Sequence, residues 1–254
     1  MIAIILAAGS GRRLSIKKPK GLLNVGQHPL IYYSIRNLIK TKKIKDIYVV
    51  IGYEFIKYEN YFNSFNFDTS VNIKTIKNDL FETSGSMFSL YLALQELIKA
   101  SKNNVNQNVI ILDSDIIYDY DEFYSYITNS YTNAIFATNV APERYDACYI
   151  KENNDSYLEH ISKDINSIGF SEKTTLWEHI GITKTSADSI KVIRDYCKKV
   201  FDDSNSFQHE YDNIFENLSS NYKVCKYENY IWTEVDDDLQ LNYLITNIYP
   251  KLNI

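Results

Sequence analysis

The sequence contains few of the residues that mark cysteine-dependent proteins. Of its 254 residues only three are cysteines, Cys148, Cys197 and Cys225. They lie far apart, are odd in number and have no CxxC spacing, so the pattern supports neither a disulfide framework nor a zinc site. We therefore expect reduced thiols in a cytoplasmic protein.

Long hydrophobic runs and blocks of basic residues are also missing. The opening apolar run, residues 1–8, lacks a basic leader and soon reaches glycine and arginine, so it predicts a buried strand rather than a signal peptide or membrane span. The net charge is −5 and the basic residues are scattered, which argues against a nucleic-acid-binding surface. We expect neither a membrane nor a nucleic-acid partner, and an anionic ligand needs a local basic site.

Nothing in the composition points to disorder or to several domains. Hydrophobic residues make up 45% and charged residues 23% of the chain, close to the values for soluble globular proteins. No internal repeat or low-complexity linker divides it, and its length suits one large α/β domain. We predict a single domain over residues 1–254, with a small excursion near residues 140–180.

Short runs of β-branched and apolar residues alternate with longer stretches of helical periodicity. This order is typical of a mainly parallel sheet covered by helices. The predicted strands are 2–6, 46–51, 71–76, 109–112, 134–138, 147–151 and 179–183. The predicted helices are 30–41, 86–99, 187–201 and 210–218, and the last 25 residues contain one further strand and helix.

A glycine-containing segment follows the first predicted strand. The string reads L-A-A-G-S-G-R-R-L from Leu6 to Leu14, and its small residues allow backbone N–H groups to approach a phosphate chain. Arg13 and Lys20 supply cations that offset the charge accumulating in phosphoryl transfer. Neither a P-loop nor a complete G-x-G-x-x-G is present, since Leu14 occupies the third glycine position. An ordinary strand-to-helix turn with solvated basic residues is the alternative.

The complete string, followed by K-P-K at residues 18–20, resembles the signature of the sugar-phosphate and phosphocholine nucleotidyltransferases. That signature is approximately LAAGxGxRL, a gap and PK, and the gap here is shorter than usual. The resemblance implies a Rossmann-like, mixed and mainly parallel α/β sheet flanked by helices, with catalytic roles for Arg13 and Lys20. It also implies nucleotide contacts from Leu6, Ala7, Ala8, Gly9, Ser10 and Gly11.

Carboxylates follow a central predicted strand and recur near the C-terminus. Asp113 and Asp115 close strand 109–112, and alternation along an extended chain points both in one direction. Ligands collect at the carboxyl ends of parallel strands, and Mg²⁺ prefers carboxylate and phosphate oxygens. Asp236 lies in W-T-E-V-D, which resembles the family's closing W-x-E-I-D motif. By this resemblance Asp115 and Asp236 bind Mg²⁺, and Asp113 contacts the nucleotide.

Polar residues before predicted helix 86–99 form a candidate base pocket. The segment T-S-G-S-M-F-S-L, residues 83–90, offers small side chains and backbone amides. It resembles the T-N-N-x-x-S-L-like segment, preceded by an asparagine, of phosphocholine-type cytidylyltransferases, although Gly-Ser or its neighbours replace the asparagine pair. The predicted base contacts are Asn78, Ser84, Gly85, Ser86 and Ser89.

A phosphorylated acceptor needs a cation, and aromatic rings bind a quaternary ammonium well. I-S-K-D-I at residues 161–165 resembles the family's I-x-K-x-I segment, in which lysine neutralises the acceptor's phosphate. The predicted acceptor contacts are Lys163, Tyr145, Trp177, Glu210, Tyr211 and Trp232.

Several of these positions also have a structural interpretation. Lys163 suits a solvated turn, and the aromatic residues suit packing. Glu210 and Asp212 fit the start of a helix better than a contact with a substrate amine. Asp237 and Asp238 favour a helix N-cap, and the base-pocket segment suits an N-cap followed by an amphipathic helix.

The resemblance implies a Mg²⁺-dependent cytidylyltransferase. Its partners are CTP or another NTP and a small phosphorylated or phosphonate acceptor, such as phosphocholine or 2-aminoethylphosphonate, and pyrophosphate is released. A sugar-1-phosphate nucleotidyltransferase using UTP, dTTP or GTP is the alternative within this chemistry. A non-catalytic nucleotide-binding domain is the alternative of another class, and a homodimer is compatible with the sequence.

Overall fold

A computed structural model describes residues 1–65, 67, 71–140, 146–169 and 175–253. Its strands are Ile2–Ala7 (β1), Asn24–Val25 (β2), His28–Pro29 (β3), Asp46–Ile51 (β4), Asn72–Lys77 (β5), Val109–Asp113 (β6), Ile116–Tyr118 (β7), Ala134–Asn139 (β8), Cys148–Glu152 (β9), Leu158–Ser162 (β10), Trp177–Thr185 (β11), Lys223–Lys226 (β12) and Trp232–Glu234 (β13). Its α-helices are Leu30–Lys40 (α1), Phe55–Ser64 (α2), Ser86–Ala100 (α3), Tyr120–Thr128 (α4), Ser189–Ser204 (α5), Asp212–Asn217 (α6) and Asp238–Tyr243 (α7).

The main sheet is mixed and has a parallel centre. Its strands follow the order β10-β9-β11-β6-β1-β4-β5, with β8 paired to β11 and β12. The neighbours β6, β1, β4 and β5 run parallel, whereas β11 is antiparallel to β6, β8 and β9. The carboxyl ends of β1 and β6 therefore meet at one edge, where ligands collect in α/β folds.

Helices cover both faces of this sheet, which explains why its central strands are apolar throughout. Alternate residues of β1 enter opposite cores, with Ile4 on the α3 and α5 side and Ile5 on the α1, α2 and α4 side. In α1, Ile31, Ile35 and Leu38 recur at helical spacing and are buried in the second core. The predicted fold class, a Rossmann-like mixed sheet flanked by helices, is confirmed.

Most predicted elements lie within two residues of the observed ones, and α1, α3 and β4 agree closely. Helices α2 and α4 and the short strands β7, β10 and β12 were not predicted. In helix α2 Tyr58 is buried, and Phe55, Tyr61 and Phe62 are partly buried against the same core. Strands β9 and β10 form an antiparallel hairpin at the sheet edge, inside the predicted excursion at 140–180. No helix in the described part of the chain is long and apolar enough to cross a membrane.

Candidate active site

A cleft of about 540 Å³ opens at the carboxyl ends of β1 and β6. Many predicted site residues meet there, although they come from all parts of the chain. Its lining is Leu6, Ala8, Gly9, Ser10, Gly11, Arg12, Arg13, Lys20, Asn78, Phe81, Glu82, Ser84, Gly85, Ser86, Ser89, Asp113, Ser114, Asp115, Lys163, Glu210, Tyr211, Asp212, Glu234 and Asp236.

The glycine-rich loop leaves β1 after Ala7 and forms one wall of the cleft. Gly11 has a φ of +59°, and a Cβ there would lie 3.0 Å from the side chain of Lys20, so the turn favours glycine. Leu14 is buried and donates its N–H to the Gly11 carbonyl at 3.1 Å. This anchor holds the loop open toward the cleft.

The predicted cations and metal-binding carboxylates form one network. The Lys20 ammonium lies 2.7 Å from Asp115 Oδ2 and also contacts Asp236 Oδ1, while Arg13 Nη2 donates to Asp236 Oδ2. Burial lowers the pKa of Lys20, but Asp115 and Asp236 raise it by more. Burial raises the pKa of Asp236, but Lys20 and Arg13 lower it by more. The network therefore favours the charged form of both partners.

Strand pairing brings the two aspartates together across 121 positions of sequence. Strand β6 ends at Asp113, so Asp115 lies in the bend before β7 rather than on the strand itself. Strand β13 pairs antiparallel with β7, and the N–H of Val235 donates to the Asp115 carbonyl at 2.8 Å. Asp236 is the next residue after Val235, and its carboxylate contacts the Lys20 ammonium that also contacts Asp115.

Two carboxylates that the sequence did not mark lie beside Asp236. Oxygens of Asp146, Glu234 and Asp236 lie within 4.8 Å of one another, and Gln240 links two of them by accepting from the Asp236 N–H and donating to Asp146 Oδ2. Glu234 was visible as the acid two positions before Asp236 on an alternating strand, whereas Asp146 carries no local signal. Three carboxylates this close together offer the hard oxygen ligands that a divalent cation takes.

Asp113 is the last residue of β6 and lines the cleft. Its Oδ2 accepts a hydrogen bond from the Tyr211 hydroxyl at 3.1 Å. Burial, together with Asp115, raises the pKa of Asp113 well above its usual value. Strand β11 makes room for this carboxylate, because a Cβ at Gly181, whose φ is +76°, would lie 2.6 Å from it.

The predicted base-pocket residues line the opposite wall. Asn78 is buried, and its amide donates to Ser84 Oγ at 3.1 Å and Ser89 Oγ at 3.0 Å. The N-cap of α3 is Gly85, without a side-chain cap, and its N–H donates to the Phe207 carbonyl at 2.8 Å. Asn78 thus fixes the positions of Ser84 and Ser89, and all three residues line the cleft.

The predicted acceptor contacts Lys163, Glu210 and Tyr211 line one part of the cleft, the predicted acceptor end, together with Asp212 and Glu234. Lys163 is exposed and lies in a bend, as its structural interpretation has it, and it also lines the cleft. Burial lowers its pKa, but Asp212 and Glu234 raise it by more. Glu210 accepts from the Ser86 hydroxyl, whose oxygen in turn accepts the Tyr211 N–H at 2.9 Å. The structure thus places one lysine among several carboxylates.

Two predicted acceptor contacts among the described residues, Trp177 and Trp232, do not line this cleft. Trp177 is buried on β11, with Lys226 Nζ 5.4 Å from the centre of its ring. Trp232 is buried on β13 opposite Tyr118 of β7. Tyr145 lies outside the described residues. Asp237, as expected, caps α7 by accepting the Gln240 N–H.

The sequence and the fold of this chain are similar to those of known proteins. Residues 3–166 match the model of the MobA-like NTP transferase domain family. The 2-C-methyl-D-erythritol 4-phosphate cytidylyltransferase of Lachnospira eligens is 25% identical over 193 residues, 74% of each chain. The CTP:phosphocholine cytidylyltransferase structure from Streptococcus pneumoniae has a TM-score of 0.71 at 24% identity, covering 96% of this chain and 97% of that one.

A second solved structure, the inositol-1-phosphate CTP transferase from T. maritima, has a TM-score of 0.70 at 17% identity and covers 100% of this chain and 98% of that one. The molecule is a nucleotidyltransferase. More particularly, the chain belongs to the MobA-like NTP transferase family, which its match over more than half the sequence shows. The predicted resemblance to this class of enzyme is confirmed.

Proposed function

We propose that this enzyme transfers a cytidylyl group from CTP to a small phosphorylated or phosphonate acceptor that carries a positively charged amine. Mg²⁺ is the proposed cofactor. The observation that carries the proposal is the joint arrangement of Arg13 and Lys20 with Asp115 and Asp236 beside a glycine-rich loop. A non-catalytic nucleotide-binding domain would need the loop but not the paired carboxylates.

The reaction follows from positioning and charge. An oxygen of the acceptor phosphate attacks the α-phosphorus of the nucleotide in line with the departing pyrophosphate, and no protein nucleophile takes part. A phosphate is already anionic near neutral pH, so it needs no general base. When bound, Mg²⁺ neutralises charge on the triphosphate. Arg13 and Lys20 are the loop-side cations that contact the phosphates.

The charge of the cleft supports a cationic acceptor. Carboxylates outnumber cations in its lining, with Glu82, Asp113, Asp115, Glu210, Asp212, Glu234 and Asp236 facing Arg12, Arg13, Lys20 and Lys163. Asp115 and Asp236, the carboxylates nearest the loop, would hold Mg²⁺ together with the triphosphate. The carboxylates at the acceptor end would then face a positive group of the acceptor, while Lys163 pairs with the acceptor's phosphate. A zwitterionic amino-alcohol phosphate or phosphonate satisfies both.

The relatives support CTP and offer a second acceptor class. The Lachnospira enzyme acts on a polyol phosphate by its name, and the T. maritima enzyme on inositol 1-phosphate. Carboxylates also accept hydrogen bonds from hydroxyl groups. A hydroxylated, uncharged sugar or polyol phosphate, with UTP, dTTP or GTP as further nucleotides, is therefore the second candidate.

A pyrophosphate-release screen separates these candidates. Four NTPs are crossed with phosphocholine, 2-aminoethylphosphonate, inositol 1-phosphate and glucose 1-phosphate, with Mg²⁺ or with EDTA. We expect the highest kcat/KM with CTP and an amine-bearing acceptor, and no turnover in EDTA. Preference for an uncharged acceptor would favour the second candidate, and no turnover with any pair would contradict both.

Two variants test the residue roles. Asp115→Asn and Asp236→Asn each remove a metal-ligating charge while preserving size, so kcat should fall at least about a hundredfold. Asp202→Asn, on the exposed face of α5, is the matched control and should behave as the wild type. Near-normal turnover of either site variant would show that the metal assignment is wrong.

A further inference from the structure

Three metal-ligating side chains meet behind the acceptor end of the cleft, away from Asp115 and Asp236. They are Cys148 at the start of β9, His179 on β11 and Asp212 at the start of α6. One ligand atom from each lies within 4.8 Å of the other two. Cys148 is 8% and His179 4% exposed, and of the three only Asp212 lines the cleft.

The imidazole of His179 is oriented by a neighbour on its own strand. Its Nε2 lies 3.1 Å from the Thr183 hydroxyl oxygen, and its Nδ1 lies 3.2 Å from Asp212 Oδ1. Two tautomers fit these contacts. In one, Nδ1–H donates to Asp212 and Nε2 accepts from Thr183; in the other, Nε2–H donates to Thr183 and the Nδ1 lone pair, which a metal can use, faces the carboxylate. Metal-binding histidines are commonly held by this kind of hydrogen bond from the other ring nitrogen.

Asp212 Oδ1 is buried and lies beside His179 Nδ1. Burial raises the pKa of Asp212, but contacts that include His179 and Cys148 lower it by more, so its carboxylate form is favoured. When the Nδ1 lone pair faces this carboxylate, a positive centre between the two relieves their repulsion. In a tetrahedral zinc site with ligand distances near 2.0 Å, neighbouring nitrogen and oxygen ligands are about 3.3 Å apart. The separation of Nδ1 and Oδ1 matches that edge.

We propose that Cys148 Sγ, His179 Nδ1 and Asp212 Oδ1 bind one zinc ion, with a water molecule from the cleft as fourth ligand. Thiolate and imidazole ligands select zinc over magnesium. As the zinc–sulfur bond forms, the thiol proton passes to solvent, so the ion and its two anionic ligands are neutral together. Lys163 lies near the same carboxylate, and the thiolate's negative charge offsets its repulsion of the metal.

The zinc site would tie three elements into one wall. It joins β9, β11 and α6, and Tyr211, the residue before Asp212, donates its hydroxyl to Asp113 in the cleft. The ion therefore has a positioning role, set apart from the magnesium that the transfer reaction requires. The ligands are about 30 residues apart along the chain, which is why the cysteine spacing gave no sign of them.

Cobalt substitution tests the site on the whole chain. Metal-stripped protein is titrated with Co²⁺, and we expect one ion per chain with tetrahedral visible bands and a near-ultraviolet thiolate-to-cobalt band, both abolished by added Zn²⁺. Cys148→Ser should lose the thiolate band and bind zinc at least about tenfold more weakly. Cys197→Ser, also buried but on α5, should retain both properties.

The remaining variants separate this site from the catalytic metal. Asp236→Asn should keep the thiolate band. Loss of this band in Asp236→Asn would place the cobalt in the catalytic cluster and overturn the proposal. If Cys148→Ser does not fold, His179→Gln should still weaken zinc binding by the same measure. Wild-type protein without a thiolate band would refute the zinc site by itself and leave the proposed transfer reaction unaffected.

Discussion

Lys184 allows a quantitative prediction, because the chain buries its amine far from the cleft. The side chain is 2% exposed on β11. Its ammonium nitrogen lies 3.1 Å from the Tyr126 carbonyl and 2.7 Å from Asn129 Oδ1, and no carboxylate in the described residues forms an ion pair with it. Burial lowers the pKa of Lys184 from 10.5 to about 8.

The direction of the pH effect follows from proton linkage. Between pH 8 and 10.5 the unfolded chain keeps the Lys184 proton while the folded chain has lost it, so the free energy of unfolding rises with pH. At about 1.4 kcal/mol per pH unit, this window corresponds to about 3 kcal/mol. Below pH 8 both states hold the proton and the contribution is constant.

The assay compares the wild type with Lys184→Met in guanidinium unfolding, followed by tryptophan fluorescence from pH 7 to 10. Cysteines and tyrosines titrate in the same range, so the informative quantity is the difference between the two proteins. As the pH rises from 7 to 10, the free energy of unfolding of the wild type should increase by more than about 2 kcal/mol relative to that of Lys184→Met. Lys198→Met, an exposed change on α5, should show no such trend. A difference that stays constant within about 0.5 kcal/mol would refute the reasoning.

Two further predictions concern the cleft. Gly181→Ala places a Cβ 2.6 Å from a carboxylate oxygen at a φ of +76°, whereas Gly169→Ala has a similar φ and no atom within 4 Å. Thermal unfolding should therefore show Gly181→Ala less stable than its control by at least about 1 kcal/mol, and equal losses would contradict the clash. Glu210→Gln removes a cleft carboxylate outside the cluster of Asp146, Glu234 and Asp236, so KM for an amine-bearing acceptor should rise about tenfold while KM for inositol 1-phosphate stays within about twofold. A parallel rise for both acceptors in steady-state assays would remove Glu210 from amine recognition.

Local patterns account for the parts of the fold that were predicted. The apolar run of β1, the helical spacing of Ile31, Ile35 and Leu38, and the small residues of the glycine-rich loop each act over a few neighbouring positions. Neighbouring residues along the chain set the local backbone geometry and the face that is buried. The sequence alone therefore reveals such features. Helix α2 was missed although Phe55, Tyr58 and Phe62 recur at helical spacing on its core face.

Residue type and motif indicated Arg13, Lys20, Asp115 and Asp236, and the structure brings these four into one network. Their contact depends on the pairing of β13 with β7, which no local pattern reports. The roles of the individual residues stay predictions. Trp232 shows the opposite case, because its strand position was visible in the sequence but not the direction in which its ring turns.

Taken by itself, the sequence determined the class of fold, the glycine-rich loop and the acids and cations suited to nucleotidyl transfer. Tertiary structure alone decided that Asp146 joins the carboxylate cluster and that Cys148, His179 and Asp212 meet. The physical reason is distance along the chain. Strand order, the bend of β11 at Gly181 and the docking of α6 bring together side chains whose separation in sequence carries no signal of contact.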